Sequence, residues 1–269
     1  MSAPSEKLAA LRRSLAQAGP ALVAFSGGAD STLLLCAARD ALGGAVTAAT
    51  VRSAAMAESE LDDARRFCRE RGIRHETADI DLLSMGSFTG NPPDRCYHCK
   101  KAVFTRLAAL ARELGAARIM EGSNLSDDGD YRPGRRALAE LGVESPLREA
   151  GLTKADVREC LREMGVAAAA EKPSSACLAS RFPYGERITA AGLARVESAE
   201  SFLRRFASAQ AQVRVRSHGS LARIEVSPES FDAVASHRNE IAREMKRLGF
   251  AYAALDLAGY RTGSLNEVL

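Results

Sequence analysis

Short apolar runs alternate with amphipathic segments along the first part of the chain. Ala21–Phe25 and Ala45–Val51 are apolar and partly β-branched, a pattern that predicts buried strands. Glu58–Arg71 carries amphipathic helical spacing that ends at Gly72. The same patterns predict strands at His75–Ile80 and Arg118–Glu121, and helices at Lys7–Ala18, Thr32–Leu42, Tyr97–Leu114 and Thr153–Met164. We therefore expect an α/β fold with a doubly wound parallel sheet, whose ligands lie beyond the carboxyl ends of the strands.

Two polar loops and a different order of predicted elements distinguish the rest of the chain. Ser84–Arg95 and Gly122–Gly134 are polar, with glycine or proline, and are predicted to be loops. After Tyr184 the pattern predicts helices at Ala191–Phe206 and Ser230–Leu248, two strands within Gln212–Val226, and a last strand at Phe250–Leu257. We expect residues 1–184 to form the sheet domain and residues 185–269 to form a second, smaller α+β domain.

Composition narrows the class of protein. The chain has 269 residues, of which 46% are hydrophobic and 26% charged, as in soluble globular proteins. Its net charge of +3 neither demands nor excludes nucleic acid, and its apolar runs are too short for a membrane span. The segment Met1–Pro20 lacks a signal-peptide core, so a cytoplasmic location is expected. Six cysteines in a cytoplasmic chain favour metal or redox chemistry over structural disulfides.

The turn at Ser26–Thr32 stands between a predicted strand and a predicted helix. Its glycines allow backbone N–H groups to point into one hollow, and the helix N-terminus adds partial positive charge. It lacks the Gly-Lys-Ser/Thr ending of a Walker loop and the third glycine of a dinucleotide fingerprint. An ordinary glycine-rich turn is the alternative. The predicted phosphate-binding residues are Ser26, Gly27, Gly28, Asp30, Ser31 and Thr32.

The cysteines fall into two groups. Cys36, Cys68 and Cys160 lie inside predicted helices, which indicates packing. Cys96 and Cys99 form a Cys-x-x-Cys at a helix start, which fits a redox pair, half of a zinc site, part of an iron–sulfur site, or coincidence. Cys177 lies in a polar loop between Lys172 and Arg181, where cations favour its nucleophilic thiolate; a core-facing cysteine is the alternative.

Five blocks of this sequence together resemble one family. They are Ser26–Thr32, Asn91–Lys101, Glu121–Tyr131, Lys172–Arg187 and Val213–Val226. All look like motifs of the LarE family, ATP-dependent sulfur transferases of the PP-loop ATP pyrophosphatase superfamily that help to build the nickel-pincer nucleotide cofactor of lactate racemase. The resemblance implies that ATP adenylates a carboxylate of pyridinium-3,5-biscarboxylic acid mononucleotide, and that a sulfur nucleophile then displaces AMP. It also implies a homo-oligomer such as a hexamer, with no nucleic acid and no membrane as partners.

The family has two forms that differ in their cysteines. In one, a single cysteine at the position of Cys177 gives up its own sulfur. In the other, three cysteines hold a 4Fe-4S cluster, and Cys96, Cys99 and Cys177 match this form. Both leave Cys177 and Asp30 as catalytic candidates, the latter helping to hold Mg²⁺. Other roles implied by the resemblance are nucleotide contact for Gly122 and Asn124, pyrophosphate contact for Lys172, and substrate-phosphate contact for Arg181, Arg214 and Arg216.

The residues alone leave several alternatives open. Arg214 and Arg216 share one face of a predicted strand, which also fits a solvated basic face, and Glu200 fits a solvated helix position. Asp127, Asp128 and Asp130 are interpreted as a polar loop rather than a metal site. For the whole chain, the alternatives are a tRNA-thiolating enzyme, an ammonia-using amide synthetase that would leave the three cysteines unused, and a module that binds ATP or AMP without turnover.

Overall fold

The structure, a computed structural model, describes residues 3–17, 19–129, 132–173, 176–208 and 210–268. Outside these ranges lie Ala18, at the end of the first predicted helix, and four residues of the family-like blocks: Asp130, Tyr131, Ser174 and Ser175. The chain forms two compact units. The first unit comprises residues 1–80 and 96–172, and the second comprises residues 81–95 and 173–269.

Strands and helices follow the predicted alternation. The strands are β1 (Ala21–Ala24), β2 (Val46–Arg52), β3 (Arg74–Asp79), β4 (Arg118–Met120), β5 (Val213–His218), β6 (Leu221–Val226) and β7 (Tyr252–Leu255). The helices are α1 (Ala3–Ala16), α2 (Ala29–Leu42), α3 (Glu58–Glu70), α4 (Gly86–Thr89), α5 (Arg95–Glu113), α6 (Gly134–Glu140), α7 (Pro146–Glu149), α8 (Lys154–Glu163), α9 (Ala167–Glu171), α10 (Ala190–Leu203), α11 (Phe231–Ser236) and α12 (Arg238–Arg247).

The first unit contains the expected parallel sheet. Its strand order is β3-β2-β1-β4, and every neighbouring pair is parallel. Val23 of β1 pairs with Ala48 of β2 on one side and with Met120 of β4 on the other, so β1 is central. The α/β prediction is therefore confirmed, and the loops after β1 and β4 leave neighbouring strands at the same edge of the sheet.

Hydrophobic side chains cover both faces of this sheet, which explains why its central strand is apolar throughout. Ala21 and Val23 of β1 pack on one face with buried residues of α1, α2 and α8. Leu22 points to the opposite face and packs with Phe104 and Leu107 of α5 and with other buried residues there. The strand is thus buried between two helical layers, and its carboxyl end is fixed in position.

The second unit contains a smaller mixed sheet. Strands β5 and β6 form an antiparallel pair, in which Val213 lies opposite Val226, and β6 pairs with β7 in parallel. A turn at Gly219 connects β5 to β6, and Gly219 has a φ of 59°, at which a side chain would be strained. The combination of this sheet with α10, α11 and α12 confirms the second, smaller α+β region.

Three local features differ from the predicted elements. The predicted loop at 84–95 contains the end of a short 3-10 helix (82–84) and α4 (86–89). The Asp81 carboxylate caps the 3-10 helix by accepting hydrogen bonds from the N–H groups of Leu83 and Ser84. The predicted helix at 230–248 is divided into α11 and α12 at His237, whose ring Nδ1 bonds to the Ala233 carbonyl oxygen. Short helices α6, α7 and α9 carry too few residues for a periodic signal.

The segment of residues 81–95 belongs to the second unit because of hydrogen bonds around Asn91. The Asn91 carbonyl accepts from the Gly185 N–H, its side-chain amide donates to the Pro183 carbonyl, and the Thr89 carbonyl accepts from the Ile188 N–H. Packing therefore divides the chain after Lys172, whereas the change in composition lies further along.

No helix in the described ranges is both long enough and apolar enough to cross a membrane.

Candidate active site

The predicted phosphate-binding loop connects β1 to α2 in the first unit. Gly27 has a φ of 71°, a left-handed conformation that favours glycine. Gly28 occupies the N-cap of α2 with extended backbone, and it has no side chain to offer to the first N–H groups of the helix. Those N–H groups and the helix dipole together favour an anion at this position.

Two hydroxyl groups hold this loop in shape. Ser31 Oγ donates a hydrogen bond to the Gly28 carbonyl oxygen at 3.1 Å and accepts one from the Ser26 N–H at 3.3 Å. The Ser26 and Ser31 hydroxyl oxygens lie 3.2 Å apart. Both serine hydroxyls therefore bond within the loop and hold its conformation.

A second turn, after β4, closes directly over the loop. A Cβ on Gly122 would lie 2.9 Å from the Ser31 backbone nitrogen and 3.0 Å from the Asp30 carbonyl carbon, too close for any other residue. Two residues later, Asn124 Nδ2 donates to Asp30 Oδ1 at 3.0 Å. Gly122 and Asn124 are therefore in direct contact with the loop, as their expected role in nucleotide contact requires.

Two lysine ammonium groups also lie beside the loop. Lys172 Nζ is 3.8 Å from the position that a Cβ on Gly27 would occupy, and 3.4 Å from Asp63 Oδ2. Lys154 Nζ donates to Asp30 Oδ2 at 2.5 Å. Lys172 was expected near pyrophosphate from the resemblance, whereas the proximity of Lys154 to the loop was not.

The local fold explains where Lys154 lies. It is the first residue of α8, which begins with a capping box: Thr153 Oγ1 accepts from the Asp156 N–H, and the Asp156 carboxylate accepts from the Thr153 N–H. The Lys154 N–H in turn donates to Ser126 Oγ. These bonds fix the start of α8 against the turn that carries Asn124.

A hydrogen-bonded chain supports the strand from which the loop departs. Thr50 Oγ1 donates to the Phe25 carbonyl oxygen at 2.8 Å, so it accepts from His75 Nε2, also at 2.8 Å. Burial, reinforced by the charge of Arg65, lowers the pKa of His75 below its ordinary value. Neutral His75 therefore helps to fix the backbone at Phe25, immediately before Ser26.

Glu121, the residue before Gly122, is a buried carboxylate. Burial alone would raise the pKa of Glu121, but the nearby Lys100 ammonium and hydrogen bonds from the Ser145 hydroxyl and Ser123 lower it overall. The carboxylate is thus held in its charged form at the carboxyl end of β4. The sequence pattern identified this residue only as the end of a strand.

The cysteines separate by burial as predicted. Cys36, Cys68 and Cys160 are buried, and burial raises the pKa of these thiols to about 11, about 12 and about 11, respectively. Cys96 and Cys177 are exposed, and Cys99 is half-buried. The packing interpretation of the first group is confirmed, and the core-facing alternative for Cys177 is wrong.

Cys96 and Cys99 lie three residues apart in the first turn of α5 and belong to the first unit. Gly134 of α6 packs closely against this turn, since a Cβ on it would lie 3.2 Å from the Cys96 carbonyl oxygen. Cys177 belongs to the second unit. Among the described residues, no three His, Cys, Asp or Glu side chains are grouped as they would be around a metal ion.

In the second unit, the loop with Cys177 is held by a buried arginine. Arg181 donates from Nε and Nη2 to the two carboxylate oxygens of Glu200, at 2.7 and 2.9 Å. Its Nη1 donates to the carbonyl oxygens of Ala176 and Cys177 at 2.9 and 3.3 Å. Glu200 is only 5% exposed, so the expected solvated position for it is wrong; its partner Arg181 is buried in the fold.

The two arginines of β5 are also buried, which excludes a solvated basic face. Arg216 donates from Nε and Nη2 to Glu225 Oε2 at 2.9 and 2.7 Å. Arg214 is 3% exposed, and burial, with the charge of Arg181, lowers its pKa to about 10. Three guanidinium groups therefore share this interior with the carboxylates of Glu200 and Glu225.

The predicted residues thus form two groups. Ser26, Gly27, Gly28, Asp30, Ser31, Thr32, Gly122, Asn124 and Lys172 come together around one loop of the first unit, and Arg181, Arg214 and Arg216 lie in the interior of the second. Asp127 and Asp128 form ion pairs with Arg132, Arg135 and Arg148, in keeping with a polar loop.

Comparison with known proteins matches this architecture. A family model described as queuosine biosynthesis protein QueC matches residues 20–92, which include the phosphate-binding loop. An uncharacterized protein of Synechocystis sp. is 41% identical over 265 residues, covering 98% of each chain.

Two further relatives have named activities. The pyridinium-3,5-bisthiocarboxylic acid mononucleotide synthase of Lactiplantibacillus plantarum is 37% identical over 270 residues, covering 100% of this chain and 97% of that protein. The tRNA-specific 2-thiouridylase MnmA of Rhizobium leguminosarum is 30% identical over 212 residues, covering 62% of this chain and 53% of that protein. Of these two similarities, the first extends over both chains in full.

Proposed function

The chain belongs to the family of pyridinium-3,5-bisthiocarboxylic acid mononucleotide synthases, the LarE family, and from this premise we propose that it is an ATP-dependent sulfur transferase. Its substrate is pyridinium-3,5-biscarboxylic acid mononucleotide, and its product is the thiocarboxylate that nickel-pincer nucleotide cofactor synthesis requires. The observation that carries the proposal is the full-length similarity to the synthase, together with a phosphate loop at the expected sheet edge.

The first step of the proposed reaction uses the loop of the first unit. A substrate carboxylate oxygen attacks the α-phosphorus of ATP, the bond to the bridging oxygen breaks, and pyrophosphate leaves. The N–H groups at the start of α2 stabilise the charge that develops on the leaving pyrophosphate. Lys172, whose ammonium lies beside Gly27, adds a positive charge there.

The second step exchanges oxygen for sulfur. A sulfur nucleophile attacks the carbonyl carbon of the acyl-adenylate, and the bond from that carbon to the AMP oxygen breaks. AMP leaves with one of the original carboxylate oxygens, and the thiocarboxylate remains. Activation is required because a carboxylate is a poor electrophile, whereas its mixed anhydride with AMP carries a good leaving group.

Mg²⁺ fits this site through Asp30. Mg²⁺ in phosphoryl-transfer sites takes one or two carboxylates and completes its shell with phosphate oxygens and water, so a single loop carboxylate suffices. Each Asp30 oxygen accepts one hydrogen bond, from Asn124 or from Lys154, and each has a further lone pair that could bind the metal. When bound, Mg²⁺ would offset the charge of the leaving pyrophosphate.

We further propose that Cys96, Cys99 and Cys177 hold a 4Fe-4S cluster. The donor set fits, because three thiolates are the ligands such clusters prefer and two of them lie in one helical turn. With only three protein ligands, such a cluster would be able to deliver sulfide as the sulfur nucleophile. Arg181 would keep the Cys177 loop in position through its bonds to the carbonyls of Ala176 and Cys177.

The substrate phosphate is assigned to the arginines of the second unit. Arg181 and Arg216 pair with Glu200 and Glu225, respectively. Arg214 donates from Nη1 to the Val213 carbonyl oxygen, and burial, with the charge of Arg181, lowers its pKa to about 10. A phosphate beside Arg214 would favour its charged form. The proposal also includes the homo-oligomer, such as a hexamer, that the resemblance implies, which light scattering of the purified protein measures.

The test of the proposed function is pyrophosphate release in oxygen-free buffer, with and without pyridinium-3,5-biscarboxylic acid mononucleotide. We expect release that depends on the nucleotide, with a thiocarboxylate product identified by mass spectrometry. An amide product formed with ammonia in place of the thiocarboxylate, or no pyrophosphate release at all, would contradict the proposal. Binding of tRNA followed by thiolation would instead favour the alternative of a tRNA thiolase, whose relatives this chain matches over about half of their length.

Iron and acid-labile sulfide content separates the two roles of Cys177. We expect both in the parent protein at the level of a cluster, and their loss in Cys177→Ala. The matched control is Cys160→Ala, a buried thiol of the first unit, which should retain iron. An iron-free parent that still converts substrate once per chain would make Cys177 a sacrificial sulfur donor.

A further inference from the structure

Lys154 lies at the phosphate-binding loop, although nothing in its own sequence context points there. Its ammonium donates to Asp30 Oδ2 at 2.5 Å, across 124 residues of sequence. Both side chains are accessible, with exposures of 32% for Lys154 and 27% for Asp30. A ligand that enters the loop therefore meets this ion pair.

The position of Lys154 is fixed by its backbone, not by Asp30. The capping box of Thr153 and Asp156 sets the first turn of α8, and the Lys154 N–H bonds to Ser126 Oγ. The flexible side chain alone makes the contact with Asp30. It can therefore exchange one anionic partner for another without a change in the fold.

The charges around the loop change when ATP binds. In the proposed reaction Asp30 would share its carboxylate with Mg²⁺, which would weaken its pairing with the Lys154 ammonium as phosphate oxygens arrive. A lysine ammonium is a compact point charge that binds phosphate well. Lys172 is likewise paired with a carboxylate, that of Asp63, and its ammonium also lies beside the loop, at Gly27.

We propose that Lys154 is a phosphate-binding residue for the pyrophosphate part of ATP, held over the loop by Asp30 until the nucleotide arrives. This inference rests on the proposed function for the identity of the nucleotide. It adds a residue that neither the motifs nor the resemblance assigned. The alternative is that Lys154 only neutralises Asp30 and does not touch the ligand.

A double-mutant cycle separates these roles, with α,β-methylene-ATP as the probe in titration calorimetry. We expect Lys154→Met to raise the Kd for this analogue by about tenfold or more, since a charged contact is lost. AMP, which lacks the pyrophosphate part, should bind Lys154→Met within about twofold of the parent. The matched control is Lys7→Met, which removes a lysine of similar exposure that pairs with Asp156 of the same helix at 2.7 Å.

The deciding measurement is made in an Asp30→Asn background without Mg²⁺. If Lys154 binds phosphate, adding Lys154→Met to Asp30→Asn still weakens binding of the analogue by about tenfold. If Lys154 only neutralises Asp30, the second substitution has no effect, and the inference is overturned. Lys154→Arg, which keeps the charge, repeats the comparison should Lys154→Met fail to fold, and it should bind the analogue more tightly than Lys154→Gln does.

This experiment stands apart from the test of sulfur transfer. A parent protein that binds the analogue but releases no pyrophosphate with the pyridinium nucleotide contradicts the proposed function and leaves the Lys154 result valid. Unchanged binding in the Lys154 variants of an active parent contradicts only the inference on Lys154.

Discussion

The charged groups of the two units are built in opposite ways. At the loop of the first unit, the pairs Lys154–Asp30 and Lys172–Asp63 are about one-third exposed, and each carboxylate can be replaced by a ligand. In the second unit, Arg216 and Glu225 are 7% and 0% exposed. Exposed pairs contribute little to stability, whereas breaking a buried pair leaves a costly unpaired charge. Charges in the first unit are therefore suited to exchange, and those in the second to a fixed framework.

The largest loss of stability is expected from breaking the buried ion pairs of the second unit. Glu225→Ala leaves the buried Arg216 without its carboxylate and removes one of the two carboxylates beside Arg223, and it should lower the free energy of unfolding by about 3–5 kcal/mol, measured by urea denaturation. Asp79→Ala, which breaks the exposed pair with Arg52 in the first unit, should cost less than about 1 kcal/mol. Equal losses in the two variants would remove the distinction between the units.

The second largest effect, on both stability and nucleotide affinity, is expected where the turn after β4 contacts the phosphate-binding loop. Gly122→Ala brings a methyl group to 2.9 Å from the Ser31 nitrogen, so the backbone must move, at a cost of about 1–3 kcal/mol. Affinity for α,β-methylene-ATP should fall by about tenfold. Gly44→Ala, whose added methyl group would meet only a flexible Arg39 side chain at 4.0 Å, should bind normally. Normal binding by Gly122→Ala would show that this contact does not shape the loop.

Removing one helix-capping hydroxyl from each unit gives a further comparison of the units, with a smaller expected loss of stability. Thr153→Ala and Thr189→Ala each remove a hydroxyl that accepts a hydrogen bond at a helix N-terminus, of α8 and α10, respectively. Each should lower the free energy of unfolding by about 1 kcal/mol. Only Thr153→Ala should also weaken nucleotide binding, because α8 positions Lys154. Equal nucleotide affinity in both variants would contradict that link.

The smallest effect is a pH dependence in the first unit. Because the folded-state pKa of His75 is lowered by burial, folding is favoured above the unfolded pKa of about 6.5, and that contribution is lost as pH falls. Between about pH 8 and pH 5 the parent should therefore lose more stability than His75→Gln. Thermal unfolding at both pH values measures the difference. A larger loss in His75→Gln would give the opposite sign and refute the assignment.

The sequence predicts the parallel sheet well because its evidence is local. Ala21–Ala24 and Val46–Arg52 are recognisable as buried strands from their own residues, and the capping box at Thr153 is recognisable from four positions. The phosphate-binding loop is likewise one contiguous segment. Short elements such as α6 and α9 escape prediction because one or two helical turns carry too few residues for a periodic pattern.

Ion pairs between distant segments are not predictable in this way. Lys154 looks like an ordinary first residue of a helix until Asp30, far away in sequence, is brought to it. Glu200 likewise fits a solvated helix position in the sequence, whereas in the structure it forms a buried ion pair with Arg181. One sequence signal could have indicated this buried cluster: arginines alternate with Val213 and Val215 in a predicted strand. A charge in a buried strand requires a partner of opposite charge.

The measurement that tests the central claim most directly follows the carboxylate oxygen. The pyridinium substrate is prepared with ¹⁸O in its carboxylates and converted with ATP, and the AMP and pyrophosphate are analysed by mass spectrometry. Attack of the carboxylate on the α-phosphorus predicts one ¹⁸O in each AMP formed and none in the pyrophosphate. Unlabelled AMP alongside thiocarboxylate product would contradict adenylation of the substrate, and with it the proposed role of the phosphate-binding loop in sulfur transfer.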